Sequence, residues 1–183
     1  MAYDARAESI RLIADGLPDR PVRLSRRRRF APVAVDVHGD VAAAWFVRRG
    51  VGCYWDDLHL LARDDDGWRL LGGGGGSSGS PWSTDEFDRA RAELAAGWIR
   101  VDGGSSVRWD FRPLHRARWI HATELLVGRE VADVVVDGGR RLPVPYHGRL
   151  VVVWATPRPP RVSALDATGH EVAERRLTGR PEH

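Results

Sequence analysis

The chain contains no lysine, no asparagine and no glutamine, and only one cysteine and one methionine among its 183 residues. Without lysine, every mechanism built on a lysine Schiff base or on the lysine of a phosphate-binding P-loop is excluded. With Cys53 alone, an internal disulfide and a cysteine-based zinc cluster are excluded. The residue reads as a small buried hydrophobe in a strand, in a reducing compartment. No apolar run approaches the ~20 residues of a membrane-crossing helix. The N-terminal stretch MAYDARAESIRLIADG is broken by acids and arginines where an export signal would be continuously apolar, so a soluble, cytoplasmic protein without membrane contact is expected. There is no G-x-S-x-G serine motif, no H-x-x-E-H helix and no other metal-ligand spacing. No metal or other cofactor is implied.

What the chain does have is arginine, which supplies all of its permanent positive side-chain charge, a usage typical of a very GC-rich bacterium. The net charge is nevertheless only +3. A polyanionic partner is therefore permitted but not demanded.

Residues 4–15, DARAESIRLIAD, have helical periodicity. Ala7, Ile10, Ile13 and Ala14 share a face, and Gly16 and Pro18 stop the helix. FAPVAVDVHGDVAAAWFVRR reads as two strands around a His-Gly-Asp turn, with Val33, Val35 and Val37 alternating with Ala34, Asp36 and His38. CYWDDLHLLARDDDGWRLL adds two more, with Leu58, Leu60 and Ala62 on one side, Asp57, His59 and Leu61 on the other, and a turn at Asp65 to Gly67. Next come five glycines in LLGGGGGSSGSPWSTDEF. Gly74, Gly76 and Gly79 satisfy G-x-G-x-x-G formally, but the preceding strand belongs to an antiparallel meander and Ser80, Pro81 and Trp82 intervene before any helix. Residues 72–83 are therefore expected to be a flexible Gly/Ser connection. It would divide a helix plus meander at 1–71 from a helix plus β-rich segment at 84–183, with packing of both as one domain left open.

Ser83 followed by Glu86 is a capping box for a second helix over 84–96, closed by Gly97. From Ser106 onward nearly everything alternates, with turns at Asp137-Gly138-Gly139, His147-Gly148 and Asp166 to Gly169. Pro143 and Pro145 confine their strand to an edge or bulge. The expected class is α+β, mostly antiparallel β, ending in a β-sandwich or small barrel.

Three sets of residues could carry function. Asp57 and His59 point to the same side of a strand and are weak candidates for acid/base work, with His38, His115, His121 beside Glu124, and His147 as further polar neighbours. Arg26 to Arg29 form a basic run that reads first as solvated charge. In VRWDFRPLHRARWIH, residues Arg108, Arg112, Arg116, Arg118, Trp119 and His121 interleave cations with aromatics, as surfaces that bind single-stranded nucleic acid do. The same alternation also describes aromatics facing a core and arginines facing water.

GDVAAAWFVRR through DDLHLLARDDDGWRLL, residues 33–71, resembles the strand-turn-strand sections of NTF2-like (SnoaL-like) domains, including the Gly67-Trp68-Arg69 turn. That resemblance implies a small-molecule pocket with Asp57 and His59 among its lining groups. The functions expected from the sequence are, in order, a non-catalytic protein-binding or assembly protein, an NTF2-like small-molecule binder or enzyme, and a polyanion binder.

Overall fold

The computed structural model describes residues 3–19, 24–79, 82–95, 98–109 and 118–178. Helix α1 (Ala5–Asp15) starts where the Asp4 carboxylate accepts from the Ala7 N–H at 3.0 Å and ends at Gly16, whose φ of 75° suits a residue without Cβ. Of the expected stripe, Ile10 and Ile13 are half-buried and pack on the core beneath, but Ala7 and Ala14 do not. Ser9 and Leu12 are buried while Ala7 and Ala14 meet solvent, because the Ser9 hydroxyl has a polar partner inside, the His59 ring.

Strands β1 (Phe30–His38), β2 (Val41–Arg49), β3 (Tyr54–Asp64) and β4 (Gly67–Ser78) form an antiparallel meander in sequence order. The glycine stretch expected as a connection is the second half of β4. Gly72 to Gly76 pair in register with Leu60 to Asp56 of β3. Ladder hydrogen bonds offset the backbone entropy that glycine loses, and the geometry needs glycine here. A Cβ on Gly73 or Gly75 would overlap the carbonyl oxygen of Leu58 or Asp56.

Helix α2 (Thr84–Ala92) is capped by Ser83, whose hydroxyl accepts from the Glu86 N–H at 3.4 Å. It ends short of the expected residue 96, and Gly97 lies outside the described residues. Strand β5 (Ile99–Trp109) begins before Ser106 because another glycine pair, Gly103-Gly104, lies within it; it is followed by β6 (Arg118–Val127). The remaining strands are β7 (Asp133–Val136), β8 (Arg140–Pro143), β9 (Arg149–Trp154), β10 (Arg161–Leu165) and β11 (Glu171–Arg176). They make a second sheet, β5-β6-β9, and a third, β11-β10-β7-β8, all pairings antiparallel. Pro143 ends β8, an edge strand, as its missing N–H requires.

The protein is thus α+β and mostly antiparallel β. Among the described residues no sheet closes on itself into a barrel. Period-two alternation lets the second sheet serve two cores. Val151 and Val153 of β9, with Ile120 and Ala122 of β6, meet the first sheet, whereas Leu150, Val152 and Trp154, with Leu125 and Val127, meet the third. The first core takes side chains from both sides of the glycine stretch. α1 covers the outer face of the first sheet through Leu12, Ala42, Ala44, Phe46 and Leu61.

The first and second sheets touch along both flanks, β1 against β9 and β4 against β5, without strand pairing across either junction. At the β1/β9 junction a side chain replaces the ladder. The Val153 N–H donates to Asp36 Oδ2 at 2.8 Å, Arg140 Nη1 lies 3.1 Å from the same oxygen, and Arg140 Nη2 donates to the Val153 carbonyl at 3.1 Å. Asp36 is buried although the alternation puts it opposite the inward valines. The β1–β2 register shifts between Pro32, which has no N–H to give, and Ala34, so Val33 and Ala34 are both buried and Val37 is turned out. Burial pushes the Asp36 carboxyl up, against the opposing pull of Arg140 and the Val153 N–H.

Candidate functional site

At the β4/β5 junction the two sheets leave a cavity of about 290 Å³, lined by Asp56, Asp102, Glu124, Ser77 and the glycines Gly75, Gly76, Gly103 and Gly104. The register explains why it exists. Asp56 stands opposite Gly76 across β3–β4, and Glu124 stands opposite Gly103 across β5–β6. Each carboxylate therefore has a glycine where an ordinary cross-strand neighbour would pack against it. At Gly76 a Cβ would meet nothing within 4 Å, whereas at Gly103 it would come within 2.7 Å of Glu124 Oε2.

Charge in the cavity is unbalanced. Asp102 is satisfied by Arg100 Nε at 2.6 Å and Arg149 Nη1 at 3.1 Å. Arg149 is held between two indoles, its guanidinium carbon 5.8 Å from the Trp45 ring and 5.9 Å from that of Trp82. Among the described residues neither Asp56 nor Glu124 has an ion-pair partner, and the Glu124 carboxylate accepts no hydrogen bond. The buried Trp45 N–H is turned toward Asp56 without a hydrogen bond of good geometry. Burial, then the charges of Asp56 and Asp102, push Glu124 up to about 7 against the opposing pull of Arg149. Burial likewise raises Asp56, with Arg149 and Trp45 opposing.

One end of the cavity's surroundings is fixed by α2. Trp82 and Phe87 pack edge to face at 4.4 Å, and both lie against His147. Arg91 ties the helix down by donating to the carbonyls of Gly128, Tyr146 and Val127. Burial, with Arg149 and Arg91 nearby, pushes His147 down to about 4, so it is neutral at physiological pH. Its Nδ1 accepts from the Arg149 N–H at 3.1 Å.

The residues singled out from sequence sit elsewhere. Asp57 accepts from Arg48 Nε at 2.8 Å. His59 lies under α1, Nδ1 2.9 Å from the Ser9 hydroxyl and Nε2 3.4 Å from that of Tyr3, and burial pushes it down. Both are on the α1 face of the first sheet, away from the cavity, and His59 acts as a satisfied core histidine. His121 and Glu124, three apart on β6, face opposite ways. His121 bonds Ser106 at 2.7 Å and stacks on Trp154 at 5.4 Å, on the side of the third sheet. Among the described residues no three His, Cys, Asp or Glu side chains are spaced to hold a metal ion.

Of the arginine and aromatic set, Arg112 and Arg116, like His115, lie outside the described residues. Arg108 pairs across the ladder with Trp119 and Trp109 with Arg118, so Arg108 and Arg118 emerge on opposite faces of the ribbon. Arg118 covers Trp109 at 5.0 Å. Aromatics are divided too. Trp45 and Trp154 are buried, whereas Trp55, Trp98 and Trp119 are exposed.

Asp56, Asp102 and Arg149 were not among the residues singled out, and Glu124 was paired with the wrong neighbour. A signal for two of them was present. Leu60-Leu58-Asp56 and Ile120-Ala122-Glu124 each continue an inward apolar alternation with an acid.

The chain matches no protein-family model, no curated protein sequence and no solved structure. The resemblance to NTF2-like hairpins thus rests on residues 33–71 alone.

Proposed function

We propose that this is a non-catalytic binding protein whose ligand is a small organic cation, an amine or guanidinium compound, held in the cavity between β4 and β5. One observation carries the reading: Asp56 and Glu124 line a single cavity with Asp102, and among the described residues neither Asp56 nor Glu124 has an ion-pair partner. Both are half-buried, and the N–H donors of a cation would pair with them through charge-assisted hydrogen bonds. A metal ion fits less well, because its ligands must converge on one point, and these side chains do not. The glycine walls supply the space.

A cation binds the ionised carboxylates, so binding draws the proton from Glu124. Affinity should rise with pH up to about 7 and level off above it. The test is calorimetric titration with a panel of alkylammonium, diamine and guanidinium compounds at pH 6 and pH 8, in buffers of different ionisation enthalpy. Expected are saturable one-to-one binding, proton release at pH 6, and a loss of tenfold or more in Glu124→Gln, in keeping with the ~1.5–3 kcal/mol of a hydrogen bond to a charged group. Absence of binding by every cation, or equal binding by Glu124→Gln and Asp56→Asn, would refute the proposal.

A further inference from the structure

A second concavity, unconnected with the carboxyl cavity, lies between α1 and the segment leading into β1. It encloses about 750 Å³, within the size range of sites for small organic ligands. Leu12, Leu17, Phe30 and Phe46 give it an apolar floor. Its other side is the arginine run. Ser25 accepts through its hydroxyl from the N–H groups of Arg27 and Arg28 at 3.3 and 3.0 Å, and its own N–H donates to the Arg28 carbonyl at 2.8 Å. This fixed turn displays Arg27, Arg28 and Arg29, all exposed and all lining the groove.

Several arginines have a carboxylate partner, including Arg11, Arg48, Arg63, Arg140 and Arg149. Among the described residues Arg27, Arg28 and Arg29 have none. The two acids at the groove change this little. Glu8 is occupied by Arg11 Nη1, at 2.8 Å to both oxygens, and Asp15 lies at the C-terminal end of α1. Arginines outnumber acids along the groove by four to two. Solvated charge alone does not require an apolar floor beneath it.

We infer that this groove binds an amphipathic organic anion, a monomeric carboxylate with an apolar body of medium acyl length. The apolar body lies over Leu12 and Phe30. The acid group pairs with the guanidiniums of Arg27 to Arg29.

Calorimetry with decanoate below its aggregation concentration tests this, alongside decanol, decyltrimethylammonium and anionic phospholipid vesicles. Saturable one-to-one binding of decanoate is expected, weakened about tenfold in the exposed triple variant Arg27→Ser/Arg28→Ser/Arg29→Ser, since several partly exposed charge pairs add modestly. Leu17→Asp should weaken it without touching an arginine. Glu124→Gln should bind decanoate as the parent does, which separates this site from the carboxyl cavity. The inference is overturned if decyltrimethylammonium binds as tightly, if the triple variant is unchanged while circular dichroism shows it folded, or if only vesicles bind.

Discussion

The two flanks along which the first and second sheets meet solve one geometrical problem in opposite ways. At β1/β9 one carboxylate, Asp36, meets one guanidinium, Arg140, and the backbone N–H and carbonyl of Val153 complete the set. Only Arg140 Nε is left without a partner there. At β4/β5 side chains have been removed, leaving four glycines, and carboxylates have been added in excess of the arginine that reaches them. A buried, hydrogen-bonded ion pair holds two sheets together, whereas carboxylates gathered without enough counter-charge repel one another. The proposed cation would exploit that difference at the second flank.

Substitutions should break that contrast unequally. The largest effect is expected at the β1/β9 flank. Asp36→Ala strands Arg140 and the Val153 N–H, and chemical denaturation should show a loss of about 3–5 kcal/mol, with no effect on cation binding by whatever fraction stays folded. Next comes Gly75→Ala, where a Cβ would overlap the Asp56 carbonyl. Strand β4 must shift to admit it, at a cost of about 1–3 kcal/mol by the same measurement.

Glu124→Gln should act in the other direction. The native state holds its proton up to about pH 7, against a usual value of 4.5, so Glu124 lowers stability as pH rises from 4.5 to 7 and by a constant amount above that. Removing the charge should stabilise the protein at pH 8 by about 2–3 kcal/mol and leave it nearly unchanged at pH 4. The His147 contribution has the opposite sign. Its pKa is held near 4, below the ordinary 6.5, so its contribution is intact above pH 6.5 and is lost as pH falls toward 4. A pH series on His147→Phe should lose that acid limb. The smallest effect on stability belongs to Gly76→Ala. With open space at its Cβ, it should stay within about 0.5 kcal/mol of the parent and yet weaken cation binding, because the methyl group enters the cavity.

The contrast also shows what can be read from a sequence of this kind. The hairpins were legible because alternation and Gly/Asp turns agree, and α1 and α2 because Asp4 and Ser83 are good caps. The face of α1 was legible only at Ile10 and Ile13, because Ser9 is recruited inward by His59, a partner 50 residues away. The polarity of Asp36 misled because the shift at Pro32 reverses the sidedness of the strand. The glycines misled most. Composition alone makes them a hinge, and only pairing with β3 shows that five glycines can be a strand whose missing side chains form a wall. Asp56 and Glu124 were visible as acids on apolar faces, but not that the two faces meet at one junction.

The central claim is that the β4/β5 junction keeps carboxylates without partners for a ligand to satisfy. The most direct measurement is a carbon-detected titration of the Glu124 side-chain carboxyl, with and without a saturating diamine. A midpoint near pH 7 that falls when the diamine is present is the predicted result; a midpoint near 4.5 that the diamine does not move would contradict the account.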